Sequence, residues 1–208
     1  MAILKRFDKE FWDKGYRFIA GIDEAGRGPL AGPVVASAVI FPSETFIDGI
    51  DDSKKLTPPE RNRLFNVIKD NALSIGIGIV PSEVIDNINI LEATKMAMNY
   101  AISSLTVPPD LLIIDGITPV ESPIKQFTIK RGDSLSHSIA AASIIAKVTR
   151  DRLMLEYDVK YPQYLFAGHK GYGTPEHMKR IREFGPCEIH RRSFTGVKEH
   201  LNKIGSGL

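Results

Sequence analysis

The sequence predicts an α/β protein with a mixed central β-sheet and helices on both faces. Two observations predict this class. Three short β-favouring runs come early, at residues 16–20, 34–41 and 74–80, as in consecutive hairpins. Two further runs, at 111–114 and 124–130, come later, and the first of them follows a long helical pattern, as a crossover strand does.

Length and composition are those of a globular chain with one sizeable core. The 208 residues are 43% hydrophobic and 25% charged. No apolar run approaches the roughly 18 residues of a membrane helix, and the first residues lack the pattern of a secretory signal. The single cysteine, Cys187, excludes an internal disulfide and fits a reducing compartment. We therefore expect a cytoplasmic protein that does not enter a membrane.

Charge is distributed unevenly, although the formal net charge is only +2. Residues 147–208 carry a balance of +5, whereas residues 1–146 carry −3. An acidic first part fits a metal site, and a basic last part fits contact with a polyanion.

The first elements are a helix and two strands. An amphipathic helix is predicted over residues 3–14, and the apolar run 16–20 then leads into GIDEAGRGPLAG, residues 21–32. The clustered Gly and Pro of this stretch indicate a tight turn at the strand end. The second strand, 34–41, ends at Pro42.

A capped helix and a third strand follow. Thr57 suits the N-cap, Pro58 the first position, and Glu60 the capping box of a helix through about Asn71. Residues 74–80 alternate Ile with Gly or Ser, which predicts a strand with another element packed closely on its glycine face.

The middle of the chain alternates helices with strands. We expect helices over 82–87 and 91–105, a strand buried on both faces at 111–114, and a fifth strand at 124–130. A long Ala-rich helix, 134–157, is expected to be buried.

The C-terminal residues are expected to be loop and helix. Residues 161–172 contain Pro and several glycines and predict a loop. Thr174 and Pro175 then open a helix that ends near Gly185. Residues 205–208 are expected to be frayed.

Four acidic residues lie at the end of a strand or the mouth of a helix: Asp23, Glu24, Asp115 and Asp133. Sites in sheet proteins form where strand ends meet, and converging carboxylates repel one another unless cations balance them. Mg²⁺ or Mn²⁺ would suit these oxygen ligands, and two such ions clamp the attacking and leaving oxygens of a phosphodiester. The alternatives are a solvated Asp-Glu pair, a turn residue at 115 and a helix N-cap at 133.

Two other kinds of site are not supported. The five histidines are scattered along the sequence with no ligand-like pair, so zinc is not expected. Gly26, Arg27, Gly28 and Gly32 imitate a dinucleotide-binding loop, but Pro29 follows at once and no helical pattern opens.

Seven motifs resemble, in order, the signature blocks of ribonuclease HII, the type 2 ribonuclease H family. The first is GIDEAGRGPLAGPVVA, from residue 21. The others are DSKKL (52–56), IIDG (113–116), KRGD (130–133), AAASIIAKVTRD (140–151), HKGYGT (169–174) and HRRSF (190–194). Each short block is a weak signal alone, but seven in order cover nearly the whole chain.

The resemblance implies a ribonuclease H-like mixed sheet flanked by helices, with a catalytic body over residues 1–157 and a small C-terminal helical part over 158–208. It implies metal-dependent hydrolysis of the RNA strand of RNA–DNA hybrids. It also implies incision 5′ of single ribonucleotides embedded in duplex DNA, which leaves 3′-hydroxyl and 5′-phosphate ends. These nucleic acids are the expected partners, and a monomer is expected because no apolar surface stripe indicates an oligomer.

The same resemblance assigns the catalytic, metal-binding role to Asp23, Glu24, Asp115 and Asp133. It implies that the backbone of Gly26, Arg27 and Gly28 reads the ribose 2′-hydroxyl and the adjoining phosphate, and only that hydroxyl distinguishes RNA from DNA at one nucleotide. Tyr172 would pack on the neighbouring deoxyribose; the alternative is a loop aromatic packed into the body.

Five further residues are candidates for contact with backbone phosphates: Ser53, Lys54, Lys55, Ser143 and Lys147. A solvated charged loop and simple helix packing are the alternatives. Arg191 and Arg192 could contact nucleic acid, but we favour a role in tying the C-terminal part to the body. For His137 we favour an exposed helix residue over a proton shuttle.

Three other interpretations remain. The sister family ribonuclease HIII carries a large extra N-terminal domain, and the roughly 20 residues before Gly21 do not provide one, which favours HII. A non-catalytic hybrid-binding module would bind in a salt-sensitive way without turnover, but the retained carboxylates argue against it. A resolvase-like or exonuclease-like phosphoesterase is disfavoured by the Gly-Arg-Gly stretch and Tyr172.

Overall fold

A five-stranded mixed β-sheet forms the centre of the computed structural model, which describes residues 2–205. Its strands lie in the order β3-β2-β1-β4-β5. Neighbours among the first three are antiparallel, whereas β4 is parallel to β1 and β5 to β4. The predicted sheet, with early hairpins and later crossover strands, is therefore confirmed. The strands are β1 (Ile19–Ala25), β2 (Val34–Ile40), β3 (Ser74–Val80), β4 (Leu111–Asp115) and β5 (Gln126–Ile129).

The described residues form six α-helices: α1 (Ala2–Trp12), α2 (Pro58–Asn71), α3 (Ser82–Ser103), α4 (His137–Lys160), α5 (Phe166–His169) and α6 (Pro175–Phe184). Helix α3 packs on one face, and α2 and α4 pack on the other. None of the helices in the described part of the chain has the length and apolarity that a bilayer span requires.

Strand β1 is longer than predicted and begins later, because its two neighbours set its extent. It pairs with β4 only as far as Ile22, but with β2 as far as Ala25. Asp23 and Glu24 therefore lie in the last part of the strand, beyond the β4 pairing, and point to opposite faces. The tight turn follows them, at Gly26, whose φ is +96°.

The glycines of β3 lie directly against α3, as the sequence predicts. A Cβ atom on Gly76 or Gly78 would lie 1.9 Å from the carbonyl oxygen of Ala101 or Ala97. Helix α4 approaches β1 in the same way, since a Cβ on Gly21 would lie 2.2 Å from the Ser138 carbonyl carbon. Close approach of α4 brings the side chains of its middle turns beside the end of β1.

Several helix boundaries differ from the predictions. The break expected between residues 87 and 91 is a kink at Asn89 within α3, where φ is +67°. Helix α4 begins at His137 and not at 134, because Ser136 caps it by accepting the Ile139 N–H. The expected loop 161–172 contains a 3₁₀ turn, Pro162–Tyr164, and the short α5.

The C-terminal segment is bonded to the loop between β1 and β2. Ala31 forms an isolated antiparallel bridge with His190. The Gly32 N–H donates to the Ile189 carbonyl (2.9 Å), and the Arg191 N–H donates to the Leu30 carbonyl (2.8 Å). Residues beyond 190 therefore support the turn that follows the acidic pair. The fraying expected at 206–208 lies outside the described residues, and Gly205 ends a 3₁₀ helix.

Candidate active site

One cleft of about 250 Å³ at the ends of β1 and β4 gathers most of the candidate residues. Two candidates do not line it: Lys55, which pairs with Asp51 (3.0 Å), and Asp133, which lies behind Lys54. The lining residues are Asp23, Glu24, Ala25, Gly26, Arg27, Gly28, Ser53, Lys54, Asp115, Ser143, Lys147 and Tyr172.

Asp23 is the most deeply placed of the lining carboxylates, with a relative exposure of 5%. Burial, followed by the nearby charges of Glu24 and Asp115, raises its pKa well above the usual range. It accepts the Glu24 N–H (2.7 Å) and the Ser143 hydroxyl. Since Ser143 donates to Asp23, the Ser53 hydroxyl 2.8 Å away donates to Ser143. Both serines are buried, so they hold Asp23 in place.

Glu24 faces a partly exposed arginine. Its Oε1 lies 3.2 Å from Nη1 of Arg27. Burial raises the pKa of Glu24; Arg27 partly offsets this, and Asp115 adds to it. The side chain of Arg27 thus balances part of the charge of this carboxylate.

Asp115 and Asp133 lie next to each other, and both have local partners. Asp115 Oδ1 accepts the Gly132 N–H at 2.6 Å. Burial raises the pKa of Asp133, and the charges of Asp115 and Asp52 add to the effect. The Lys54 ammonium lies 3.5 Å from Asp133 Oδ2, on a side chain that is 80% exposed. Its positive charge opposes this rise in the pKa of Asp133.

Within residues 2–205, no three His, Cys, Asp or Glu side chains are already arranged to hold a metal ion. The cleft carboxylates turn instead to local donors, including Arg27 and Lys54. Both cationic side chains are largely exposed, so they can move away without breaking core packing. Arg27 and Lys54 lower the pKa values of Glu24 and Asp133 without cancelling the rise that burial causes. An all-oxygen donor set of this kind suits a hard divalent cation.

Tyr172 stands at the side of the cleft with 45% of its surface exposed. Lys147 Nζ and Arg150 Cζ each lie 5.9 Å from the centre of its ring. Its carbonyl accepts from His177 Nδ1 (2.9 Å) and its N–H donates to the His169 carbonyl (2.9 Å). The backbone is therefore fixed while a ring face remains accessible, which is not the packing of an ordinary core aromatic.

The exposure expected for His137 is wrong. It is 3% exposed, its Nε2 accepts the Ile47 N–H (2.9 Å), and it contacts the rings of Phe41 and Phe46. The loop carrying Phe46 folds over the start of α4, which helical periodicity alone does not reveal. His137 does not line the cleft.

Three histidines that are distant in sequence meet in the C-terminal part. The His169 and His177 rings stack with centroids 4.3 Å apart, and His177 Nε2 lies 3.0 Å from His190 Nε2. Burial, and then the neighbouring histidines, lower the pKa of His177 to about 4 and that of His190 to about 3. Neutral imidazoles thus connect α6 to the segment that contacts Ala31.

Arg150, which was not among the predicted site residues, lies behind the cleft. Its guanidinium donates to the carbonyls of Ala31 (3.1 Å) and Pro33 (3.0 Å). A signal was present, because Ser143, Lys147 and Arg150 are spaced by four and three residues and so share one helix face.

Comparison with known proteins agrees with these features. The family model for ribonuclease HII matches residues 20–197. The ribonuclease HII of Geobacter sulfurreducens is 61% identical over 197 residues, which cover 95% of this chain and 91% of that protein. The crystal structure of ribonuclease H2 from Pyrococcus horikoshii OT3 matches with a TM-score of 0.76 at 26% identity, covering 91% of this chain and 100% of that one. The ribonuclease HII of Archaeoglobus fulgidus, solved in complex with PCNA, matches with a TM-score of 0.71 at 25% identity, covering 86% of this chain and 95% of that one.

Proposed function

The chain belongs to the ribonuclease HII family, and from this premise we propose that it also incises duplex DNA 5′ of single embedded ribonucleotides. The chain is a metal-dependent endoribonuclease that cleaves RNA in RNA–DNA hybrids, and its fold is ribonuclease H-like. The predicted family, fold and hybrid-cleaving activity are thereby confirmed. Selectivity for single ribonucleotides is the further step that we propose.

One observation supports the proposal most directly: a single cleft is lined by acidic residues, the Gly-Arg-Gly turn and Tyr172. The carboxylates provide ligands for catalytic cations, and the turn and the aromatic ring lie beside them. An enzyme that recognises one ribonucleotide needs both functions within about one nucleotide of each other, because the 2′-hydroxyl is the only mark of RNA at that position.

We propose that Asp23, Glu24, Asp115 and Asp133 hold two divalent ions, Mg²⁺ or Mn²⁺. Held there, such ions would supply activation of the attacking water and charge neutralisation at the departing 3′-oxygen, consistent with 3′-hydroxyl and 5′-phosphate ends. For the four side chains to converge, Lys54 and Arg27 would turn from carboxylate to phosphate oxygens. In this exchange the same side-chain cations would first pair with carboxylates and then hold the substrate.

The remaining residues would bind and orient the nucleic acid. The Gly26–Gly28 backbone would contact the 2′-hydroxyl and its phosphate, and the Tyr172 ring would pack on the following deoxyribose. Lys54 and Lys147 would contact backbone phosphates directly. Ser53 and Ser143 would act by holding Asp23, since both hydroxyls are buried and bonded. Lys55, outside the cleft, would reach only a more distant phosphate.

We also propose that residues 158–208 act with the body, 1–157, as one substrate-binding unit. Tyr172 in the C-terminal part and Lys147 in the body line the same cleft, and this arrangement supports their acting together. A cytoplasmic monomer is the form that we expect to work on the DNA duplex.

The test is cleavage of a DNA duplex that contains one ribonucleotide, with Mg²⁺, with Mn²⁺ and with a chelator. We expect one incision on the 5′ side of the ribonucleotide, dependent on the metal, with 3′-hydroxyl and 5′-phosphate ends. An all-DNA duplex should stay intact, and an RNA–DNA hybrid should be cut. Cleavage of the hybrid without cleavage of the single-ribonucleotide duplex would refute the proposed extension.

A further inference from the structure

Two arginines are completely buried behind the cleft, and no carboxylate within the described residues forms an ion pair with either. Arg150 comes from α4 and Arg191 from the C-terminal segment, and each has a relative exposure of 0%. Burial lowers the pKa of Arg150 and lowers that of Arg191 to about 9. Burying a charge without a counter-ion costs free energy unless the N–H donors of the charged group form hydrogen bonds. The acceptors of the two arginines therefore indicate their role.

Both guanidinium groups donate to main-chain carbonyls of the loop between β1 and β2. Arg191 binds three of them, with Nη2 on Gly26, Nη1 on Arg27 (2.8 Å), and Nε and Nη2 on Gly32 (3.1 and 3.0 Å). Arg150 binds the carbonyls of Pro33 through Nε and of Ala31 through Nη2, while its buried Nη1 has no partner in the described residues. Two planar, charged guanidinium groups thus bind five carbonyl oxygens of the loop. Such groups form stronger and more directional hydrogen bonds than neutral donors do.

These bonds set the direction of the peptide groups that we assign to ribose recognition. In a planar trans peptide, the N–H points away from the C=O of the preceding residue. Because Arg191 draws the Gly26 and Arg27 carbonyls inward, the N–H groups of Arg27 and Gly28 point away from the protein interior. Neither amide donates to an acceptor in residues 2–205, so both are available to a ligand in the cleft.

Arg150 also explains the glycine at position 26. A Cβ atom there would lie 2.1 Å from Arg150 Nε and 2.4 Å from its Cδ. The backbone of Gly26 therefore rests on the Arg150 side chain, whose guanidinium carbon lies 5.9 Å from the Tyr172 ring centre. One buried side chain thus contacts both the turn and the aromatic ring.

We infer that Arg150 and Arg191 are positioning residues for ribonucleotide selectivity, which direct the Arg27 and Gly28 amides into the cleft. This inference rests on the proposed function, in which those amides contact the 2′-hydroxyl and its phosphate. Neither arginine lines the cleft. They act by preventing the turn from rotating its peptide groups, so their loss should affect discrimination between ribose and deoxyribose more than general binding of the duplex.

The test compares Arg191→Lys with Arg192→Lys, a matched control on the neighbouring exposed arginine. Lysine keeps the charge, but its three N–H donors leave a single nitrogen and cannot reproduce the planar guanidinium that spans three separate carbonyls. We measure KM for the single-ribonucleotide duplex, and Ki for the all-DNA duplex as a competitive inhibitor. The ratio Ki/KM should fall about tenfold in Arg191→Lys, the equivalent of one lost hydrogen bond of about 1.4 kcal/mol, and should stay within about twofold in Arg192→Lys.

A purely structural role for Arg191 would lower the active fraction, and hence kcat, without changing Ki/KM, and that result would overturn the inference. If Arg191→Lys does not fold, NMR relaxation of the wild-type protein tests whether the turn is rigid. The backbone order parameters of the Arg27 and Gly28 amides should then be near 0.85, as in rigid secondary structure, and values below about 0.6 would overturn the inference. Absence of cleavage by the wild-type enzyme would count against the proposed function itself, so the two failures are distinguishable.

Discussion

Asp115 is fixed by a backbone hydrogen bond as well as by its neighbours. Its Oδ1 accepts the Gly132 N–H, and an asparagine can keep that bond while losing the charge. We predict that Asp115→Asn lowers kcat/KM by about 10²–10⁴-fold, because several kcal/mol of transition-state stabilisation by cations are lost. Cleavage of a ribonucleotide-containing duplex measures the change.

A suitable control for this substitution is Glu121→Gln, which removes an exposed charge outside the cleft. Its activity should match that of the wild-type protein, and both variants should melt near the wild-type temperature. Near-normal turnover by Asp115→Asn would show that this carboxylate is not a ligand of the catalytic cations.

The Tyr172 ring provides a second prediction at this scale. Tyr172→Ala should reduce incision at a single ribonucleotide by about 10-fold or more, since stacking on a nucleotide contributes roughly 1–3 kcal/mol. Cleavage of long RNA–DNA hybrids should fall less, because many registers are available. Tyr172→Phe keeps the ring and should behave like the wild-type enzyme on both substrates. Equal losses on the two substrates in Tyr172→Ala would contradict a junction-reading role.

Sequence patterns identified the acids and the glycine turn, but not the partners that hold them. Asp23 and Glu24 are recognisable because they stand beside clustered glycines. Arg150 looked like one more charge near the end of an Ala-rich helix, and only the close packing of α4 on Gly21 places it under the turn. Burial of a long polar side chain depends on which distant segment covers it, which local periodicity does not encode.

At the scale of elements, the contact between β3 and α3 leaves no space for a side chain. We predict that Gly78→Ala destabilises the protein by about 3 kcal/mol or more, because the new Cβ would meet backbone atoms of α3 that cannot rotate away. The control is Gly168→Ala in α5, where a Cβ meets no atom within 4 Å. Chemical denaturation measures both, and equal free energies of unfolding would contradict the close packing.

Element boundaries that depend on local residues were predictable from the sequence, whereas boundaries that depend on tertiary pairing were not. The start of α2 was predictable because its capping box is local: Thr57 and Glu60 exchange hydrogen bonds. The start of β1 was not, because the register with β2 and β4 determines it. The same reason explains β5, which is confined to Gln126–Ile129 by its pairing with β4.

At the scale of the whole molecule, the buried histidines make the C-terminal part sensitive to acid. The folded pKa values of His177 and His190 are about 4 and 3, whereas an unfolded histidine titrates near 6.5. Between these values the unfolded chain binds more protons, so stability is lost as the pH falls below about 6.5. Raised carboxyl pKa values in the cleft act in the opposite direction, and a variant is needed to isolate the histidines.

We predict that the wild-type protein loses about 2 kcal/mol more stability than His190→Gln between pH 7 and pH 5. Urea denaturation at both pH values gives the free energies of unfolding. Glutamine has no proton to gain in this range and can still donate towards His177. An identical pH dependence in the two proteins would show that His190 is already charged in the folded state.

The dependence of the β1–β2 turn on Arg191 has a consequence for biosynthesis. A ribosome completes all five strands, with every acid of the cleft, well before it adds the C-terminal segment. Until residue 191 has emerged and docked, the nascent chain would have the candidate catalytic carboxylates but would lack the fixed amides that we propose face the sugar. In the mechanism we propose, selectivity for ribose would therefore be completed only in the last part of translation, and a chain that ends before Arg191 would keep the carboxylates but discriminate poorly between ribose and deoxyribose.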